Sequence, residues 1–155
     1  MNNLSSKVEI NIYYIKSKFN LLVSNLCKLL IKKKLKTLIN LKDQKEKEEL
    51  DNFLWTFEKS SFLPHKIIED DVFEPNNILL FHGDYGKLDK YKRFQNLIVS
   101  PNVKIKKFMI FKKFLIFSNI EMIKNLNKER QELEKISRKV SFFQEHEELK
   151  WRVIN

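Results

Sequence analysis

The chain has 155 residues, 43% hydrophobic and 12% aromatic, with 30 Lys and Arg against 20 Asp and Glu and a formal charge of +10. That length suits one domain, 1–155, around one core, and the apolar share excludes a disordered chain even at this charge. Cys27 is the sole cysteine, which excludes an internal disulfide or a cysteine zinc cluster and implies a reducing compartment.

The basic excess invites an anionic partner, because a positive field concentrates nucleic acid or acidic protein. A second origin competes with it. The sequence holds no alanine, two glycines and three prolines, and 26 of its 30 basic residues are Lys, a bias that AT-rich coding also produces. Met1–Lys7 lacks the basic-then-apolar layout of a signal peptide. The longest apolar run, 108–117, is broken by Lys112 and Lys113 and is too short to span a membrane. A soluble, cytoplasmic protein is expected, with no membrane contact.

In chain order, Val8–Ile15 alternates apolar and polar residues and is rich in β-branched and aromatic side chains, as a strand requires. Phe19, Leu22, Val23, Leu26, Leu29 and Leu30 recur at helical spacing, and the lysines that follow suit a helix C-terminus, so 19–34 is a helix. A strand at 36–41 follows. Asp43 then caps a second helix running to about Trp55. Further strands are expected at 77–82 and 94–99, the latter stopped by Pro101. The stretch 103–117 fits helix or strand, with 114–117 as a fifth strand. From Ile120 onward, Ile123, Leu126, Leu133, Ile136, Val140 and Phe143 form one helical stripe, which predicts a long C-terminal helix. Alternating strands and helices predict an α/β, Rossmann-like three-layer fold on a mostly parallel five-stranded sheet.

Catalytic and cofactor signatures are missing. Lys16-Ser17-Lys18-Phe19 follows the first strand, so that turn has no glycine-rich phosphate cradle. Gly83-Asp84-Tyr85-Gly86-Lys87 lacks the ending and spacing of a phosphate loop and reads as a turn. His65, His82 and His146 share no metal-ligand spacing with one another or with Cys27. Ser60 and Ser61 near His65 lack a nucleophile elbow. Glu69, Asp70 and Asp71 read as a solvated charge run. No enzyme, metal or cofactor is expected.

The distinctive stretch is Leu50–His65, a helix end followed by a rigid corner. Leu50, Leu54 and Trp55 can share a buried face, while Pro64 fixes its own φ and holds Leu63 extended. This stretch resembles the pattern of the chi subunit of bacterial DNA polymerase III holoenzyme. In that pattern a helix ends in Leu-Asp-x-x-Leu-Trp and a loop leads to Ser-Phe-x-Pro-His. Leu50, Asp51, Leu54, Trp55, Ser61, Phe62, Pro64 and His65 fall in register, and element order and length match across nearly the whole chain.

The resemblance implies a Rossmann-like fold without nucleotide chemistry and a non-catalytic replication adaptor. It implies two partners, a psi-like subunit of the clamp loader and the acidic C-terminal tail of single-stranded DNA-binding protein, with DNA contacted mostly indirectly. In chi subunits the tail is received by basic residues of the last helix beside a shallow apolar patch. Two registers transfer that surface to this chain. One uses Lys124, Lys128 and Arg130, followed by Gln131 and Glu132 where the family has an aromatic and a basic residue. The other, anchored at the chain end, uses Arg138 and Lys139 with Phe142 and Trp151, and puts His146 in the place of a family glycine. An alternative function is a basic module that binds single-stranded nucleic acid directly, with Tyr85 and Tyr91 stacking bases beside Lys87, Lys90, Lys92 and Arg93.

Overall fold

The computed structural model describes residues 5–56, 66–67, 78–82, 94, 96–101, 103 and 111–154. In chain order these form β1 (Ser5–Ile15), α1 (Phe19–Lys32), β2 (Thr37–Leu41), α2 (Gln44–Thr56) and β3 (Lys66–Ile67). Then come β4 (Ile78–His82), β5 (Asn96–Val99), β6 (Lys113–Asn119), a 3-10 helix (Ile120–Asn125), α3 (Leu126–Glu134), β7 (Ser137–Glu147) and β8 (Lys150–Ile154). Eight strands make one sheet in the order β3-β4-β2-β5-β6-β1-β7-β8, parallel throughout except for β8 against β7.

The two faces of the sheet carry separate cores, as strand alternation dictates. Ile10, Ile12, Tyr14, Leu38, Leu79, Leu97, Phe114 and Phe142 point to one face, where Leu126 and Leu133 of α3 and Ile123 of the 3-10 helix cover them. Ile15, Ile39, Leu41, Leu80, Ile98, Leu115 and Phe117 point to the other, beneath Leu22, Val23, Cys27 and Leu30 of α1 and Leu50 and Leu54 of α2. Helices therefore lie on both faces, and the three-layer, mostly parallel α/β architecture is present. The cap at Asp43 is too, since its Oδ1 accepts the backbone N–H of Glu46 at 2.9 Å.

Two expectations are corrected. Among the described residues the sheet has eight strands, not five: the five expected are β1, β2, β4, β5 and β6, and β3, β7 and β8 extend them. The long C-terminal helix is replaced by a 3-10 turn, a nine-residue α3 and the β7–β8 hairpin. β1 explains why. Its Ile10, Ile12 and Tyr14 are buried on one face and its Ile15 on the other. A strand covered on both faces cannot leave one row of backbone N–H and C=O groups unpaired. β6 satisfies one edge and β7 the other, with Glu9–Tyr14 in register with Lys139–Gln144. The helical stripe was half right: Ile123, Leu126, Leu133, Ile136 and Val140 do share a core, but Phe143 stacks on Tyr13 across the sheet, with ring centroids 4.9 Å apart.

Candidate functional site

The cleft best suited to a partner opens between α3 and the β7–β8 hairpin. Its volume is about 310 Å³, and Arg130, Glu134, Val140, Ser141, Phe142, Val153 and Ile154 line it. Strand alternation aims Val140 and Phe142 at α3, and β8 brings Ile154 opposite Phe142. The guanidinium of Arg130 sits 5.0 Å from the centroid of the Phe142 ring, which fixes a positive charge at the lip of an apolar wall. Val153 stands at the rim of the cleft, 61% exposed, but it pairs with Phe143 and its side chain shares the opposite face with Trp151. Apolar walls with one cation at the mouth suit a short segment that ends in a hydrophobic side chain and carries negative charge. Glu134 opposes this charge at one end of the cleft.

α3 is held in place from beneath. The fully buried Tyr14 donates its hydroxyl to Glu129 Oε2 at 2.9 Å. Burial raises the pKa of the Tyr14 hydroxyl, and the Glu129 hydrogen bond and charge raise it further, so this proton stays on oxygen. Ser137, where β7 begins, donates its hydroxyl to the carbonyl of Val8, fastening the strand start to β1.

The expected site residues are spread out. Lys124 is exposed in the 3-10 helix and Lys128 is exposed on α3, with Arg130 half a turn beyond. Arg138 and Lys139 are exposed at the start of β7, roughly 10–13 Å along the strand from Phe142. Only Arg130 and Phe142 of the expected set are brought together in this cleft. Trp151 lies on the opposite face, edge-on to Tyr13 at 5.1 Å, where Tyr13, Leu22, Leu26, Phe117 and Leu149 surround a second cavity of about 320 Å³. Leu54 is buried and Trp55 is 51% exposed in the last turn of α2. Phe62, Pro64 and His65 lie outside the described residues, as do Ser60, Ser61, Glu69 to Asp71, Gly83 to Lys87 and the stacking set Tyr85 and Tyr91.

Sequence reasoning missed Val153, Ile154 and Glu145. Glu145 has no exposed surface, and its carboxylate accepts four hydrogen bonds. Three are from the β1–α1 turn, at 2.7 Å from Lys16 N–H, 2.8 Å from Ser17 N–H and 2.6 Å from the Ser17 hydroxyl, and one is from Leu149 N–H at 2.9 Å. Burial pushes this carboxyl up, but the Ser17, Leu149 and Lys16 donors outweigh it and hold it below the usual carboxylate value. The available signal was the alternation of Val140 and Phe142 with polar neighbours, which marks a strand as well as a helix.

Burial lifts the Cys27 thiol to about 12, so it is no nucleophile at neutral pH. Among the described residues no group of three or more His, Cys, Asp or Glu could hold a metal ion. Among them, too, no helix is long and apolar enough to cross a membrane.

A mostly parallel sheet, helices on both faces and a basic-lipped apolar cleft define an α/β protein with a groove of peptide size. The family described as DNA polymerase III chi subunit, HolC, matches residues 9–152, and the chain belongs to it. It is thereby an accessory subunit of the DNA polymerase III complex, acting in replication. No curated protein sequence matches the chain.

Proposed function

We propose that this chain, as one domain, is a non-catalytic, cofactor-free adaptor of the cytoplasmic replication machinery. One side meets the clamp loader through a psi-like subunit, and the other receives the acidic C-terminal tail of single-stranded DNA-binding protein. The observation that carries the tail site is Arg130 held over Phe142 at the mouth of the α3–β7–β8 cleft. An acidic segment is drawn to Arg130 and, through the wider positive field around α3, by the exposed Lys128 and Lys124, and its apolar end fits against Val140, Phe142 and Ile154. This arrangement favours the register built on Lys124, Lys128 and Arg130. Phe142 belongs to it as the cleft wall, while Arg138, Lys139 and Trp151 do not. Trp55, exposed at the end of α2, is proposed for the psi-like subunit.

The test is fluorescence anisotropy with a labelled peptide copying the tail of the cognate single-stranded DNA-binding protein. Micromolar or tighter binding that weakens with salt is expected. Lys128→Glu with Arg130→Glu should abolish it, and Ile154→Asp should weaken it at least tenfold. Arg138→Glu with Lys139→Glu should leave it within a factor of about three. Loss in the second double variant alone would move the tail site to the edge of β7.

A further inference from the structure

Among the described residues the positive charge is not spread evenly. Because all strands but β8 run parallel, the sheet has one edge of strand starts and one of strand ends. Register aligns Thr37, Asn96, Lys113, Glu9 and Lys139 in one row across β2, β5, β6, β1 and β7. One residue nearer the edge stand Lys36, Lys112 and Arg138. With strands about 4.8 Å apart, the row spans roughly 19 Å. α1 and α3 both return to this edge and end there, α1 in Lys32 followed by Lys33 and Lys34, α3 in Glu134 followed by Lys135. The carboxylates among these described residues are Glu9 and Glu134, and Glu9 lies 3.8 Å from Lys113.

Two bland origins fail to account for this. Lysines at helix C-termini satisfy the dipole, which covers Lys32 to Lys34 and Lys135. It does not cover the strand-borne Lys36, Lys112, Lys113, Arg138 and Lys139. A coding bias toward lysine would load both edges alike. At the opposite edge, however, Lys16, Lys18, Lys42, Lys45 and Lys47 stand among Asp43, Glu46, Glu48, Glu121 and Glu148, and Lys150 pairs with Glu147 at 3.1 Å.

We propose that this edge of strand starts is a second contact surface, separate from the α3 cleft, and that it holds the phosphodiester backbone of nucleic acid without reading bases. The row is long and narrow, and its 19 Å face about five to six phosphates at roughly 3.4 Å per phosphate along one strand. No described aromatic is exposed there: Phe94 is fully buried with the Lys36 ammonium 5.6 Å from its ring, and Phe111 is buried as well. Contact is therefore electrostatic and indifferent to sequence. The same lack of exposed apolar groups among the described residues disfavours a lipid surface, which needs apolar insertion for lasting attachment. The inference does not depend on the tail reading.

The experiment measures anisotropy of labelled oligonucleotides of two unrelated sequences with the full chain, over a salt series. Equal affinity for both sequences is expected, with log K falling linearly with log salt. Lys33→Glu with Lys112→Glu should weaken binding at least tenfold and flatten that slope, leaving tail-peptide binding unchanged. Lys18→Glu with Lys42→Glu makes the same net charge change at the other edge and should lose less than threefold. Equal loss in both double variants, no binding by the parent chain, or tighter binding to phosphatidylserine vesicles than to oligonucleotide overturns the proposal. Circular dichroism confirms that both variants fold.

Discussion

Tyr14 and Glu129, 115 residues apart, are joined by a hydrogen bond of 2.9 Å that ties the middle of α3 to the central strand. The tyrosine hydroxyl has no access to water, so Glu129 is its means of satisfaction.

Removing that acceptor leaves a buried donor orphaned. Glu129→Ala should cost about 1–3 kcal/mol, whereas Glu129→Gln keeps an acceptor oxygen and should melt at or above the parent temperature. The pH dependence separates the two. Burial pushes the Glu129 carboxyl up, the Tyr14 bond opposes it, and nearby Glu132 adds to the rise, for a net value above the ordinary one. A raised carboxyl contributes stability fully below its unfolded value and loses it as pH rises through the folded value. The melting advantage of Glu129→Gln over the parent should therefore grow between pH 4 and pH 7, as followed by thermal denaturation.

Glu145 has the opposite sign. Its four donors require the ionised form, so its folded pKa is depressed. The stability it supplies is present above the unfolded carboxylate value and disappears as pH falls through the folded one. Glu145→Gln substitutes an amide, whose NH₂ faces N–H donors with nothing to accept them, and should lose about 2 kcal/mol at neutral pH. As pH falls below the usual carboxylate value the parent and the variant should draw together, because acid removes the same interaction from the parent.

These two carboxylates also show where the sequence was readable. β1, α1, β2 and α2 could be drawn from alternation, helical spacing and the Asp43 cap, because each signal is local. The last thirty residues could not. Leu133, Ile136, Val140 and Phe143 fit a helical stripe, and nothing at 134–137 announces a stop: α3 ends on Lys135 in right-handed geometry, without glycine. The β7–β8 turn hides its own signal, since Leu149 takes φ 63° where glycine or asparagine would mark a hairpin. Pairing with β1 decides the outcome, and that is a contact across some 130 positions. The site suffered accordingly: Arg130 and Phe142 were both named, but in rival registers, and only the strand geometry of β7 joins them.

Lys34 is a second left-handed residue, with φ 58°, just past the end of α1. Its N–H donates to the Ile31 carbonyl and the N–H of Leu35 to that of Leu30, a helix ending that glycine adopts without steric cost. Lys34→Gly should raise stability by about 1 kcal/mol in denaturant titration. The same exchange at Leu149 should not, because Leu149 also supplies apolar surface to the cavity beside Tyr13 and Trp151.

Leu54 and Trp55 are adjacent in the chain motif yet face different environments. Leu54 is 1% exposed and packs with Leu50 beneath α2, so Leu54→Ala should cost about 2–5 kcal/mol and lower the melting temperature visibly. Trp55, half exposed at the helix end, should lose less than Leu54 on replacement by alanine. A half-exposed tryptophan at a helix end suits a partner that covers it, since buried Trp is a typical anchor of protein interfaces. Co-purification with a psi-like subunit should therefore fail for Trp55→Ala while its melting temperature falls less than that of Leu54→Ala. If the variant still retains the subunit in full, Trp55 is a surface residue of the fold and the clamp-loader contact lies elsewhere on the molecule.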